Sequence, residues 1–215
     1  MAKYLIGYID EKEGERSDFA NMITEEDMFD VKMFDVNQDT SLDTLVDEIL
    51  ESNINCIVVD YHLSDNGVRF EGNQIIEKIH KIRPYFPKII YTAKEDKVIP
   101  VVDNDILYMI NDKSIKGDTD RSKNFRHKLK ALIDNYNEDI SKATETVNNL
   151  KSKKKEVKLS LDEENELFNA RKYLMSIDTR IISIPEMLNE KGYLDELHDV
   201  NQSVKEILAK YKDPS

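Results

Sequence analysis

Ile54-Asn55-Cys56-Ile57-Val58-Val59-Asp60 is the stretch that decides the fold, an apolar run that stops on an acid. A run of that kind fits a strand buried on both faces of a parallel sheet, with helices covering each side. Comparable short apolar segments recur at 3–9, 29–34, 88–91 and 105–110, and stretches of helical period lie between them. Leu42, Leu45, Val46 and Ile49 mark one such helix, and residues 16–25 read as another. Ile75, Ile76, Ile79 and Ile82 mark a third, which stops before Pro84. A short helix interrupted by Pro100 separates the last two strands. Five strands with helices between them predict an α/β fold built on a five-stranded, parallel, doubly wound sheet.

Beyond Gly117 the strand pattern gives way to helices. Phe125, Leu129, Leu132 and Tyr136 follow 4-3-4 spacing, and Ile140, Ala143, Val147 and Leu150 resume it after a slip of one residue. The stripe predicts a long helix whose first part packs on the sheet and whose remainder projects past it. The lysine-rich stretch 151–158 then reads as a solvated loop. Ser160 and Glu163 form a capping box for a second helix, with Leu167, Ala170, Leu174, Ile177, Ile181 and Ile184 on one face. Ser183, Pro185 and Glu186 offer a further start signal. A last helix from about Leu194 carries Leu197, Val200, Val204, Ile207 and Tyr211. These helices predict an all-α bundle or coiled hairpin, with a domain boundary near 134/135.

Composition limits the function classes. Of the 215 residues 43 are acidic and 31 basic, and the net charge of −12 is concentrated in 1–116, where 24 acids face 13 bases. Neither half has the positive excess of a nucleic-acid module, and the second half shows no helix-turn-helix with a basic recognition helix. The single Cys56 excludes an internal disulfide framework and suits a reducing compartment. No segment approaches the length of a membrane helix, so a soluble cytoplasmic protein is expected. No phosphate-binding glycine loop or zinc spacing appears in the second half.

Chemistry collects at the strand ends. Strand one ends at Asp10-Glu11 and strand three at Asp60. In a doubly wound sheet these two strands are neighbours, so three carboxylates converge. Acids held that close call for a cation, and hard oxygen ligands suit Mg²⁺. Strand four ends with Thr92, and strand five is followed by Lys113. Acids, metal, hydroxyl and ammonium around one carboxylate are the parts of a phosphoryl-transfer site.

In these residues the chain resembles the receiver domain of two-component response regulators, over roughly 1–116 and the start of the following helix. The resemblance rests on Ile9-Asp10-Glu11, on Ile57-Val58-Val59-Asp60-Tyr61-His62-Leu63, on Ile89-Ile90-Tyr91-Thr92-Ala93 and on Lys113. It implies a flavodoxin-like receiver fold in which Asp60 accepts a phosphoryl group from a sensor histidine kinase or a phosphotransfer protein. It also implies that Asp10, Glu11, Asp60 and the backbone carbonyl of His62 bind Mg²⁺, while Thr92 and Lys113 contact the phosphoryl oxygens. The partners expected are such a phosphodonor and, through the C-terminal helices, a protein partner or a second copy of the chain. The chain departs from the family pattern at Ser64, where a proline is usual, in a longer loop over 65–72, and at Ser114 after the lysine. The long loop and Ser114 motivate a second reading, a receiver-shaped adaptor or dimer scaffold that no longer cycles. A haloacid-dehalogenase-like phosphatase is disfavoured, because the second acid it requires two positions after the nucleophile is replaced by His62.

Overall fold

The computed structural model describes residues 4–64, 67–92, 110–113 and 119–178. The elements run β1 (Tyr4–Ile9), α1 (Glu13–Thr24), β2 (Phe29–Met33), α2 (Leu42–Glu51), β3 (Cys56–Asp60), α3 (Gly72–Ile82), β4 (Lys88–Thr92) and β5 (Ile110–Asp112). Two further helices follow, α4 (Asp120–Glu156) and α5 (Leu161–Ser176). The strands pair in the order β2-β1-β3-β4-β5, all parallel. This is the flavodoxin-like order, and its topological switch point lies where β1 meets β3.

Strand residues alternate between two cores because successive side chains point to opposite faces. Ile9, Ile57, Val59 and Ile90 join Leu45, Val46 and Ile49 of α2 and Ile75, Ile76 and Ile79 of α3 on one side. Ile6, Tyr8, Cys56, Val58 and Tyr91 join Phe19, Met22 and Ile23 of α1 and Phe125, Leu129 and Ile133 of α4 on the other. The continuous apolar character of β3 follows directly, since every residue in it is buried.

Two buried cations tie the connections to this sheet. Lys88, at the start of β4, is fully buried, and its ammonium donates to the carbonyls of Pro84 at 2.7 Å, Phe86 at 2.9 Å and Arg83 at 3.4 Å. It thereby closes the turn that leads out of α3. Replacing it by Met leaves those carbonyls without their donor, so Lys88→Met is expected to cost about 2–3 kcal/mol in urea denaturation. Chemistry at the opposite end of the strands should be unchanged. Arg126 of α4 donates to the Met22 carbonyl at 2.8 Å and to Glu25 and Glu26 at 3.0 Å, which pins the last helix of the sheet to the end of α1.

Thr119 caps α4, accepting the Ser122 N–H at 3.2 Å. The helix has 37 residues, about 55 Å at 1.5 Å per residue. The expected loop at 151–158 is corrected in part, because α4 continues through the lysines to Glu156. Lysine is a good helix former and its charge suits a helix C-terminus, so the end of the apolar stripe does not end the helix. The Ser160 box is present, with Ser160 N–H donating to Glu163 at 3.0 Å and Glu163 N–H to the Ser160 hydroxyl at 3.3 Å.

α5 then runs back along α4. Beyond it, the buried Asp178 accepts from Arg83 at 2.6 and 2.7 Å, and Tyr173 packs on Tyr85 with ring centroids 4.8 Å apart. All described residues belong to one compact unit, Met1–Asp178. The helix signals near Pro100, Ser183 and Leu194 lie outside the described residues. Of the strand expected at 105–110, residues 105–109 lie outside the described residues; Ile110–Asp112 pair with β4, in register with Ile90–Thr92, so the strand runs two residues past its expected end.

Candidate functional site

The carboxyl ends of β1 and β3 lie side by side, with Ile9 paired to Val59. The next residue along each strand is an acid. Asp10, Glu11 and Asp60 each present a carboxylate oxygen within 4.8 Å of the others. Asp10 is fully buried and Asp60 nearly so, at 4% exposure. The Glu11 side chain is almost wholly out of solvent and pairs with Lys12 at 3.1 Å.

Lys113 completes the group. Its backbone N–H donates to the Thr92 carbonyl at 2.9 Å, which extends the β4–β5 ladder by one step and sets the side chain over the acids. Its ammonium lies 2.5 Å from Asp10 Oδ2 and 3.1 Å from Asp60 Oδ2. Burial opposes the lysine's charge, but the bonds and charges of Asp10 and Asp60 outweigh it and raise its pKa. Thr92 is buried at the end of β4, one residue past the Asp60–Tyr91 pair and opposite Asp112. His62 lies two residues beyond Asp60, edge-on to the Tyr61 ring. Its buried Nε2 has no hydrogen-bond partner among the described residues.

Burial pushes the Asp60 carboxyl up to about 7; Lys113 pulls it down and the charges of Asp10 and Glu11 push it further up. A proton therefore competes with any cation for this carboxylate near neutral pH. Because the folded value lies above the unfolded one, the associated stability is full at pH below about 4 and is lost as pH rises through about 7. The stability of the wild type relative to Asp60→Asn, from urea midpoints without divalent cation, should thus fall across that window. A flat difference would show that Asp60 does not hold the proton.

Three residues that shape the site were not singled out from the sequence. Tyr8 donates its hydroxyl to Asp10 Oδ2 at 2.9 Å, and Asp10 Oδ1 accepts the Lys12 N–H at 2.9 Å, so both oxygens are held. Burial, followed by the charge of Asp10, pushes the Tyr8 hydroxyl far up and keeps it a donor. The signal was the spacing: residues 8 and 10 share one face of a strand. Gly72 opens α3 against the Asp60 carbonyl, where a Cβ would stand 2.0 Å from the oxygen. Glu71, just before it, accepts hydrogen bonds from Leu63 and Ser64.

No protein-family model matches the chain, and no curated protein matches it. Among solved structures, the chain is similar to NtrX from Brucella abortus, crystallised with ADP, at 15% identity and a TM-score of 0.48, over 77% of this chain and 32% of that one. It is also similar to a LuxR-family two-component response regulator from Aurantimonas sp. SI85-9A1, at 11% identity and a TM-score of 0.47, over 79% and 99% of the two chains. The response regulator RcsB of Salmonella typhimurium gives 15% identity and a TM-score of 0.47, over 81% and 93%. This chain spans about a third of the length of NtrX. The chemistry of the site follows from its own atoms rather than from these distant likenesses.

Proposed function

We propose that the chain is a receiver-like signalling protein whose Asp60 accepts a phosphoryl group. The observation that carries this reading is the Asp60 carboxylate at the tip of β3, with Asp10 and Glu11 within 4.8 Å and the Lys113 ammonium at 3.1 Å. Three carboxylates in one cluster, Asp10, Glu11 and Asp60, with the His62 carbonyl as a fourth oxygen donor, fit a divalent cation such as Mg²⁺. Such an ion would neutralise charge on the transferred phosphoryl oxygens.

The chain's own residues supply the rest. Asp60, deprotonated, attacks phosphorus as an oxygen nucleophile. The bond from phosphorus to the donor's imidazole nitrogen, or to the oxygen of a small phosphodonor, breaks as the acyl phosphate forms. Its electron pair leaves with the donor: an imidazole nitrogen takes up a proton from solvent, whereas a carboxylate leaves as the anion. Lys113, already directed at Asp60 by Asp10, faces the new oxygens. Thr92, on the neighbouring strand end, supplies a hydroxyl to them. The added charge of roughly −1.5 to −2 alters the balance at the end of the sheet from which α4 departs, so the α4–α5 hairpin is the natural output element and takes a protein partner.

Intact-mass measurement after incubation with acetyl phosphate or phosphoramidate and Mg²⁺ tests this. Wild type should gain one phosphoryl group, the gain should require Mg²⁺, and Asp60→Asn should gain none. Equal labelling of both proteins would refute Asp60 as acceptor. No labelling of wild type by either donor would favour the non-cycling adaptor.

A further inference from the structure

The connection from Asp60 to α3 is closed on itself by one side chain. Glu71 Oε2 accepts the Leu63 N–H at 2.9 Å, and its other oxygen accepts the Ser64 hydroxyl. Glu71 is itself anchored. Its own N–H donates to Gln74 Oε1 at 2.9 Å, and the next residue, Gly72, donates its N–H to the Tyr61 carbonyl at 2.8 Å. The Leu63 side chain is fully buried in the α2–α3 core, which fixes the other edge of the loop.

These bonds determine the direction of a peptide plane. The Leu63 N–H and the His62 C=O belong to the same planar unit, and in a trans peptide they point in opposite directions. No cis peptide occurs among the described residues. With the N–H tied to the Glu71 carboxylate, the His62 carbonyl is held facing away from Glu71. Both Glu71 oxygens are engaged by the loop.

We propose that Glu71 is a positioning residue that holds the His62 carbonyl as the neutral oxygen ligand of a divalent cation bound by Asp10, Glu11 and Asp60. This role rests on the cation site proposed above. Through it, residues 61–64 keep a defined backbone next to Asp60, with a carboxylate clamp on Ser64 in place of a rigid residue at that position.

The test compares Glu71→Ala, Glu71→Gln and Ser64→Ala by Mg²⁺ titration calorimetry and by amide hydrogen exchange at Leu63, at a temperature where circular dichroism shows all of them folded. Glu71→Ala should weaken Mg²⁺ binding about tenfold, the usual scale for loss of a group that orients a ligand. It should also remove the protection of the Leu63 amide in metal-free protein. Glu71→Gln keeps a side-chain oxygen for that amide and should restore both; Ser64→Ala leaves the Leu63 bond intact and should bind as wild type does. Wild-type affinity in Glu71→Ala, or equal weakening in Glu71→Ala and Ser64→Ala, overturns the role of Glu71 while leaving the cation site standing. Absence of Mg²⁺ binding by wild type overturns both.

Discussion

Gly72→Ala is expected to destabilise the protein by about 3 kcal/mol and to disable the site at the same time. The new methyl carbon would stand 2.0 Å from the Asp60 carbonyl oxygen and 2.9 Å from its carbon, well inside any permitted contact. Backbone cannot swing aside as a side-chain tip can, so the start of α3 and the end of β3 must part. That movement displaces Asp60 from Asp10 and Lys113. Urea denaturation reads the first effect, and Mg²⁺ titration reads the second. Gly14→Ala is the control: it lies near the start of α1 with nothing within 4 Å, and it should raise stability by a few tenths of a kcal/mol. If Gly72→Ala melts like wild type, β3 and α3 are not packed as closely as described.

Lys113→Met should have an effect at least as large, a loss of about 3–5 kcal/mol at pH 8, because it leaves buried carboxylates without their cation. Its pH dependence is diagnostic. Lys113 normally lowers the Asp60 value, so without it Asp60 titrates above about 7. At pH 5 the variant protonates Asp60 and avoids most of the repulsion with Asp10 and Glu11. At pH 8 it cannot, and the loss is larger. Millimolar Mg²⁺ should recover part of the deficit at pH 8 by binding the folded form. An equal loss at both pH values would show that Asp60 is not the group left unpaired.

The parts of this site legible in the sequence were those that follow from position along a strand. Apolar runs ending in Asp10-Glu11 and Asp60 had to bring these acids to one edge once the sheet was parallel. Lys113 follows the next strand but one, in the same sense. What stayed hidden depends on contacts between distant parts of the chain. Glu71 reads as an ordinary residue before a helix until the loop folds back and brings Leu63 to it. The importance of Gly72 lies in the nearness of another backbone, which no periodicity records. Tyr8 reads as one more apolar strand residue, although its hydroxyl meets Asp10. The extent of α4 was misjudged because the apolar stripe was taken as the measure of the helix, whereas the lysines continue it through their propensity and the match of their charge to the helix C-terminus.

The length of α4 has a mechanical consequence. Its sheet-facing contacts end near Tyr136, which packs against Phe86; farther on, the buried Ala143 lines a groove shared with α5. Some thirty ångströms of rod thus extend past the last support, at 1.5 Å per residue. A tilt of roughly 5° about that fulcrum sweeps the far tip through about 3 Å. Small adjustments beside the acids need no large rearrangement to be felt at a distance, because leverage enlarges them.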